Sequence, residues 1–193
     1  IVFGDWSSDV CSSDLKKIAG QIFPGIQGGP LMHVIAAKAV AFQEALGGAF
    51  VDYQKEIIRN AAQMAGRLME NGVKLVSDGT DNHMMLADLT SFDITGKDAE
   101  HTLDQAGITV NKNAIPYETR SPLVTSGIRI GTPAVTSRGM KTADMTIIAD
   151  LITEMLKSPG DPAVAARVRE KVLALCRKFP IYPEESKTGR DGS

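Results

Sequence analysis

The sequence predicts a mixed α/β chain with an α+β arrangement in its C-terminal part, and three observations predict it. Ile57, Ala61, Met64, Ala65 and Leu68 recur at helical spacing along one face. Directly afterwards the hydrophobic period falls from about 3.6 to 2, over residues 73–76 and 84–89. Helix-start signals then return at Thr95 and at Asp161-Pro162. Strands and helices are therefore mixed along one chain.

The elements follow in order. Phe23-Pro24-Gly25-Ile26-Gln27-Gly28-Gly29 reads as a loop, because three glycines and a proline oppose regular structure. Pro30 suits the first position of a helix that continues from Leu31 to Leu46 and stops at Gly47-Gly48. A second helix is predicted from Val51 to Asn71, ended by Asn71-Gly72, residues that tolerate positive φ. Strands are expected at Val73–Val76 and Met84–Leu89, joined by the turn-rich Asp78-Gly79-Thr80-Asp81-Asn82. Thr95 with Asp98 resembles a capping box, with Asp in place of the usual Glu or Gln, for a helix reaching Gln105. Further strands are expected at Ile108–Val110 and Gly127–Ile130. Two helices close the pattern, Arg138–Leu156 and Pro162–Lys178, the second with Asp161 as N-cap.

The two ends read differently. Trp6-Ser7-Ser8-Asp9-Val10 is followed at once by Cys11-Ser12-Ser13-Asp14-Leu15, a period of five with no helical or strand logic. Residues 1–15 are set apart as a foreign or disordered segment, the other reading being a flexible natural terminus. The expected organisation is then 16–47 as the end of a larger domain with a connecting helix, 48–182 as a small domain, and 183–193 as a polar, flexible tail.

Composition excludes several classes. Lys plus Arg number 21 against 23 Asp plus Glu, a net charge of −2, without the basic excess of nucleic-acid or membrane-surface binders. Hydrophobic residues at 43% and charged residues at 23% suit a folded chain rather than a disordered one. No apolar run approaches the roughly 18 residues of a membrane span. Cys11 and Cys176 make neither a disulfide framework nor a metal-ligand pair. His33, His83 and His101 are scattered, so no metal is expected. A reducing, cytoplasmic setting is the expectation.

Three segments could carry chemistry. Gly25-Ile26-Gln27-Gly28-Gly29-Pro30 could turn backbone N–H groups toward an anion at a helix start, though such a loop also serves simply as a turn. Arg129 lies between Ile128 and Ile130, where its planar fork suits a carboxylate; the plainer reading is an outward Arg on a half-exposed strand. Asn111-Lys112-Asn113 before Pro116 could present amides to a planar heterocycle, or only make a turn.

Together these segments become specific. Lys16-Lys17-Ile18, Phe23 through His33, Gly79-Thr80-Asp81-Asn82-His83, Ile108 through Asn113 and Thr125 through Ala134 occur in order. From Lys16 to Tyr182 the chain closely resembles the C-terminal part of serine hydroxymethyltransferases, pyridoxal-phosphate enzymes of the aspartate-aminotransferase fold. The resemblance implies interconversion of serine plus tetrahydrofolate with glycine plus methylene-tetrahydrofolate. It implies that Arg129 grips the substrate carboxylate, and that Gly28 and Gly29 reach the cofactor phosphate of a neighbouring subunit in a homodimer, with a tetramer also open. It places Asn113 and the tripeptide Ser121-Pro122-Leu123 against folate, with Leu123 standing where Phe is common.

An absence accompanies the resemblance. The family's Schiff-base lysine sits in a His-Lys-Thr context, and that string does not occur here, so no catalytic residue is assigned. Most of the large cofactor-binding domain has no counterpart either. The expectation is a truncated gene product, inactive in isolation. The rival reading is a non-catalytic module that binds folate or a protein partner.

Overall fold

The computed structural model describes residues 12–182, which divide into two compact units, one up to Gly47 and one from Gly48 onward. The first unit contains α1 (Ser12–Gly20), a kinked helical stretch Gln21–Ile26 and α2 (Met32–Ala45). Ser12–Leu15, which the period-of-five repeat sets apart, open α1 without a break before Lys16. The segment expected to be a loop from Phe23 is helical as far as Ile26, interrupted by an extended Phe23. Its closing contact is a wide one, Gln27 N–H donating to the Ile22 carbonyl at 2.8 Å. Pro30 does not open the helix: α2 starts at Met32, with the Leu31 carbonyl accepting from Ile35 N–H at 3.1 Å. No residue of α2 is buried. Cys11 and the tail from residue 183 lie outside the described residues.

The second unit holds the core. It runs through α3 (Gly48–Glu70), β1 (Lys74–Leu75), β2 (Met84–Asp88), α4 (Gly96–Gln105), β3 (Asn111–Asn113), β4 (Gly127–Gly131), α5 (Pro133–Ser137), α6 (Thr142–Lys157) and α7 (Pro162–Lys178). The strands form one antiparallel sheet in the order β1-β2-β4-β3. Helices α3 and α4 touch the sheet directly, and α6 and α7 pack behind them. The apolar stripe of α3 is the reason: Ile57, Ala61, Met64, Ala65 and Leu68 are all buried. The last four join Met85 and Ala87 of β2, Ile128 and Ile130 of β4, and Met145, Ile152 and Leu156 of α6 in one cluster. Each such large side chain contributes about 1.5–3 kcal/mol by leaving water.

Caps end the helices where expected. Gly72 at φ +91 closes α3, with Gly72 N–H donating to Met69 and Val73 N–H to Leu68. Gly107 at φ +78 closes α4 in the same way, and Ile108 N–H donates to the Leu103 carbonyl. The Thr95 hydroxyl accepts from Asp98 N–H at 3.0 Å and donates to the Asp98 carboxylate at 2.6 Å. Asp161 accepts from Ala163 and Val164 N–H at the start of α7.

Three boundaries in the second unit differ from expectation by three residues or more. The strand predicted at Ile108–Val110 is found at Asn111–Asn113. The Ile108 amide is committed to the α4 cap, while the Ile108 and Val110 side chains pack on the core. The helix predicted from Arg138 to Leu156 is two helices, α5 and α6. Gly139 at φ +95 turns the chain, Met140 is buried, and Asp144 accepts from Lys141 N–H to start α6 afresh. Finally, α3 begins three residues early, at Gly48, so the Gly47-Gly48 stop is only a short break.

Candidate functional site: the outer face of the sheet

Alternation along the strands separates two faces. Met85 and Ala87 of β2 and Ile128 and Ile130 of β4 point into the core. Arg129 lies between them and is exposed, so the outward placement is the one found. Register puts Arg129 opposite Leu86 on β2 and Asn111 on β3, while Asn113 stands opposite Gly127. Arg129, Asn111 and Asn113 therefore share the outer face.

Arg129 Nη2 donates to Asn111 Oδ1 at 2.9 Å, which steers the guanidinium along the sheet. Its other donors have no partner among the described residues, leaving a fork available to a carboxylate. Arg129 lines an open depression of about 470 Å³ with His83, Met84, Thr109, Val110, Asn111 and Gly131. Packing behind this edge is set by α3: Thr132 Oγ1 donates to the Ile57 carbonyl at 3.0 Å, and Asn60 Nδ2 donates to Thr136 Oγ1 and the Met140 carbonyl. These bonds anchor the chain that leaves β4.

Asn113 is half-buried and donates from Nδ2 to the Ala114 carbonyl at 2.8 Å, the local bond a turn residue makes. Its Oδ1 remains available as an acceptor. Ser121-Pro122-Leu123 forms an exposed turn, with the Ser121 carbonyl accepting from Val124 and Thr125 N–H. Leu123 is 76% exposed, an apolar side chain held in water. The loop docks on the start of α4, whose Gly96 and Lys97 N–H groups donate to Thr125 and Val124 carbonyls. Close approach here requires glycine: a Cβ at Gly96 would collide with Thr125 Oγ1 and the Gly127 carbonyl.

Sequence reasoning passed over Glu118. Its carboxylate accepts from Arg120 N–H, Ser126 N–H and the Ser126 hydroxyl, at 2.9, 2.8 and 2.7 Å. The Arg120 amide, followed by the Ser126 hydroxyl, holds this acid down at about 2. Nothing in residue type or spacing marks Glu118, because its partners are mostly backbone amides that only the folded loop brings together.

Gly28 and Gly29 lie in the first unit, are exposed, and have no left-handed φ. A Cβ at either position would meet nothing within 4 Å. The alternating backbone of an anion nest is therefore not formed by these residues alone. Among the described residues no cluster of His, Cys, Asp or Glu is arranged for a metal ion. No single described helix is long and apolar enough to cross a membrane.

Comparison with known proteins gives the same direction as the motifs. The sequence model of the family described as serine hydroxymethyltransferase matches residues 5–152. That match begins inside the first fifteen residues and ends within α6. The serine hydroxymethyltransferase of Desulforapulum autotrophicum is 59% identical over 173 residues, covering 90% of this chain and 41% of that protein. The serine hydroxymethyltransferase of Xylella fastidiosa is 58% identical over 168 residues, covering 87% and 40%. The chain thus spans about two fifths of the length of these relatives. The matched stretch contains the Arg129 strand, the Asn111–Asn113 strand and the loop between them, and on that evidence the chain belongs to the serine hydroxymethyltransferase family.

Proposed function

We propose that this chain supplies the amino-acid and folate side of a glycine hydroxymethyltransferase, a transferase interconverting serine plus tetrahydrofolate and glycine plus 5,10-methylenetetrahydrofolate. The observation that carries the reading is the Arg129 fork, exposed on the outer face and steered by Asn111. Arg129 holds the substrate carboxylate through paired N–H donors. Asn113 offers an amide to the folate ring system, and Ser121-Pro122-Leu123 flanks it with one apolar surface. The reading includes pyridoxal phosphate as cofactor and a homodimer with shared active sites, in which Gly28 and Gly29 approach the neighbouring subunit's cofactor phosphate.

The test is steady-state kinetics in a full-length enzyme carrying these residues. Arg129→Lys should raise the serine KM about tenfold or more, since Lys lacks the planar fork. Asn113→Ala should raise the tetrahydrofolate KM and leave the serine KM unchanged. Unchanged constants in both variants would remove the reading.

A second reading has one observation in its favour. The 193 residues contain no lysine in a His-Lys-Thr context. By itself, this chain is proposed to bind without catalysing. Folate binding by the purified chain with no serine turnover would support that. Turnover by the chain alone would contradict it.

A further inference from the structure

The loop from Ala114 to Ser126 connects two paired strands, so its ends lie close together at Asn113 and Gly127. It contains no helix or strand of its own, and a connection of this length is uncommon in that form. Two of its residues, Tyr117 at φ 59 and Thr125 at φ 57, sit in the left-handed region without being glycine. Such positions cost about 1–3 kcal/mol each and persist only when surrounding contacts over-determine them.

Backbone bonds to Ser121 and Gly96 hold Thr125, and one side chain ties the rest of the loop together. Glu118 Oε2 accepts from Ser126 N–H at 2.8 Å and from Ile115 N–H at 3.4 Å. Glu118 Oε1 accepts from the Ser126 hydroxyl at 2.7 Å and from Arg120 N–H at 2.9 Å. Four donors thus converge on one carboxylate, from the loop's entry, its middle and its exit. Ile115 follows closely on Asn113, Arg120 directly precedes Ser121, and Ser126 directly precedes β4 with Arg129.

We propose that Glu118 is a positioning residue, a clasp whose carboxylate fixes the Ser121-Pro122-Leu123 turn relative to Asn113 and so sets the affinity for the folate co-substrate. The inference rests on the folate reading of that loop given above. The chemistry requires two acceptor oxygens. A glutamine has one acceptor oxygen and one NH₂ group with two donors. Whichever way it turned, a glutamine in place of Glu118 would leave N–H donors facing an NH₂ group. The depressed titration of the acid agrees, since the charged form is the one these donors favour.

Two measurements test it together. In the 193-residue chain, Glu118→Gln should speed amide hydrogen exchange at Arg120 and Ser126, leaving the amides of α3 and α6 unchanged. In a full-length enzyme carrying this segment, Glu118→Gln should raise the tetrahydrofolate KM about tenfold, the loss of one charge-assisted bond. The serine KM should stay the same, and Glu118→Asp should restore part of the affinity. Unaltered exchange at Arg120 and Ser126 would overturn the clasp itself. A tetrahydrofolate KM that rises with Asn113→Ala but not with Glu118→Gln would overturn the positioning role while leaving the folate reading intact. Faster exchange with no change in tetrahydrofolate KM for either variant would overturn the folate reading, and the ligand assignment with it.

Discussion

The two faces of the sheet are built from the same strands by different physics. On the inner face Met85, Ala87, Ile128 and Ile130 are buried against helices, and stability there comes from area removed from water. On the outer face Arg129 is exposed and Asn111 orients it, and beyond the strand ends the β3–β4 loop is held by bonds to a carboxylate. Neighbours in sequence thus do unrelated work. A substitution on the inner face should cost stability, and one on the outer face should cost binding.

The largest expected effect is on the inner side. Leu103 is fully buried in α4, and Leu103→Ala should lower the unfolding free energy by about 2–5 kcal/mol, measured by urea titration. A smaller cost falls at the seam between the faces. A Cβ at Gly127 would stand 2.6 Å from the Ala87 carbonyl and 2.7 Å from Ile115 Cγ2. Gly127→Ala should therefore cost about 1–3 kcal/mol and disturb the β3–β4 loop, which thermal melts and loop amide exchange would both register.

Acid should sharpen the division further. Glu118 has its titration lowered from 4.5 to about 2 by the Arg120 amide and the Ser126 hydroxyl. Asp88 is lowered as well: burial pushes it up, but bonds from Lys74 and Thr90 outweigh that. Asp150 is held down by Arg67 and Asn71, and Glu154 by Arg167 and Lys171. A lowered acid stabilises the fold above its unfolded pKa and loses that contribution as pH falls through its folded pKa. Stability should thus be level in these groups near neutrality and fall from about pH 4.5 toward 2. Glu118→Gln should flatten part of that decline. A urea-midpoint profile as steep as the parent's would contradict the assignment.

How much of this was legible in the sequence follows the same line. The inner face was readable, because burial imposes periodicity: the α3 stripe, β2 and β4 appear as spacing, and Gly72 and Asp161 act through local geometry. Arg129 was readable as a polar residue interrupting an apolar strand. The β3 boundary was not, because Ile108 and Val110 are apolar for the sake of the core, while the ladder is made by the polar Asn111–Asn113. The break between α5 and α6 turns on Gly139, one residue in a pattern that otherwise continues. The Glu118 clasp left no trace, since its donors at Ile115, Arg120 and Ser126 have no side-chain signature except one hydroxyl. Gly28 and Gly29 show the converse: neither has a left-handed φ, so permissive residues allow a conformation without imposing it.

The most direct test compares two adjacent residues of one strand. Ile128→Ala and Arg129→Ala would be made in this chain and unfolded with urea under identical conditions. Ile128→Ala should lose about 2–5 kcal/mol, because its side chain is fully buried. A change within about 0.5 kcal/mol is expected for the exposed Arg129→Ala. Comparable losses at the two positions would contradict the separation of the faces, and would make Arg129 a structural residue rather than a binding one.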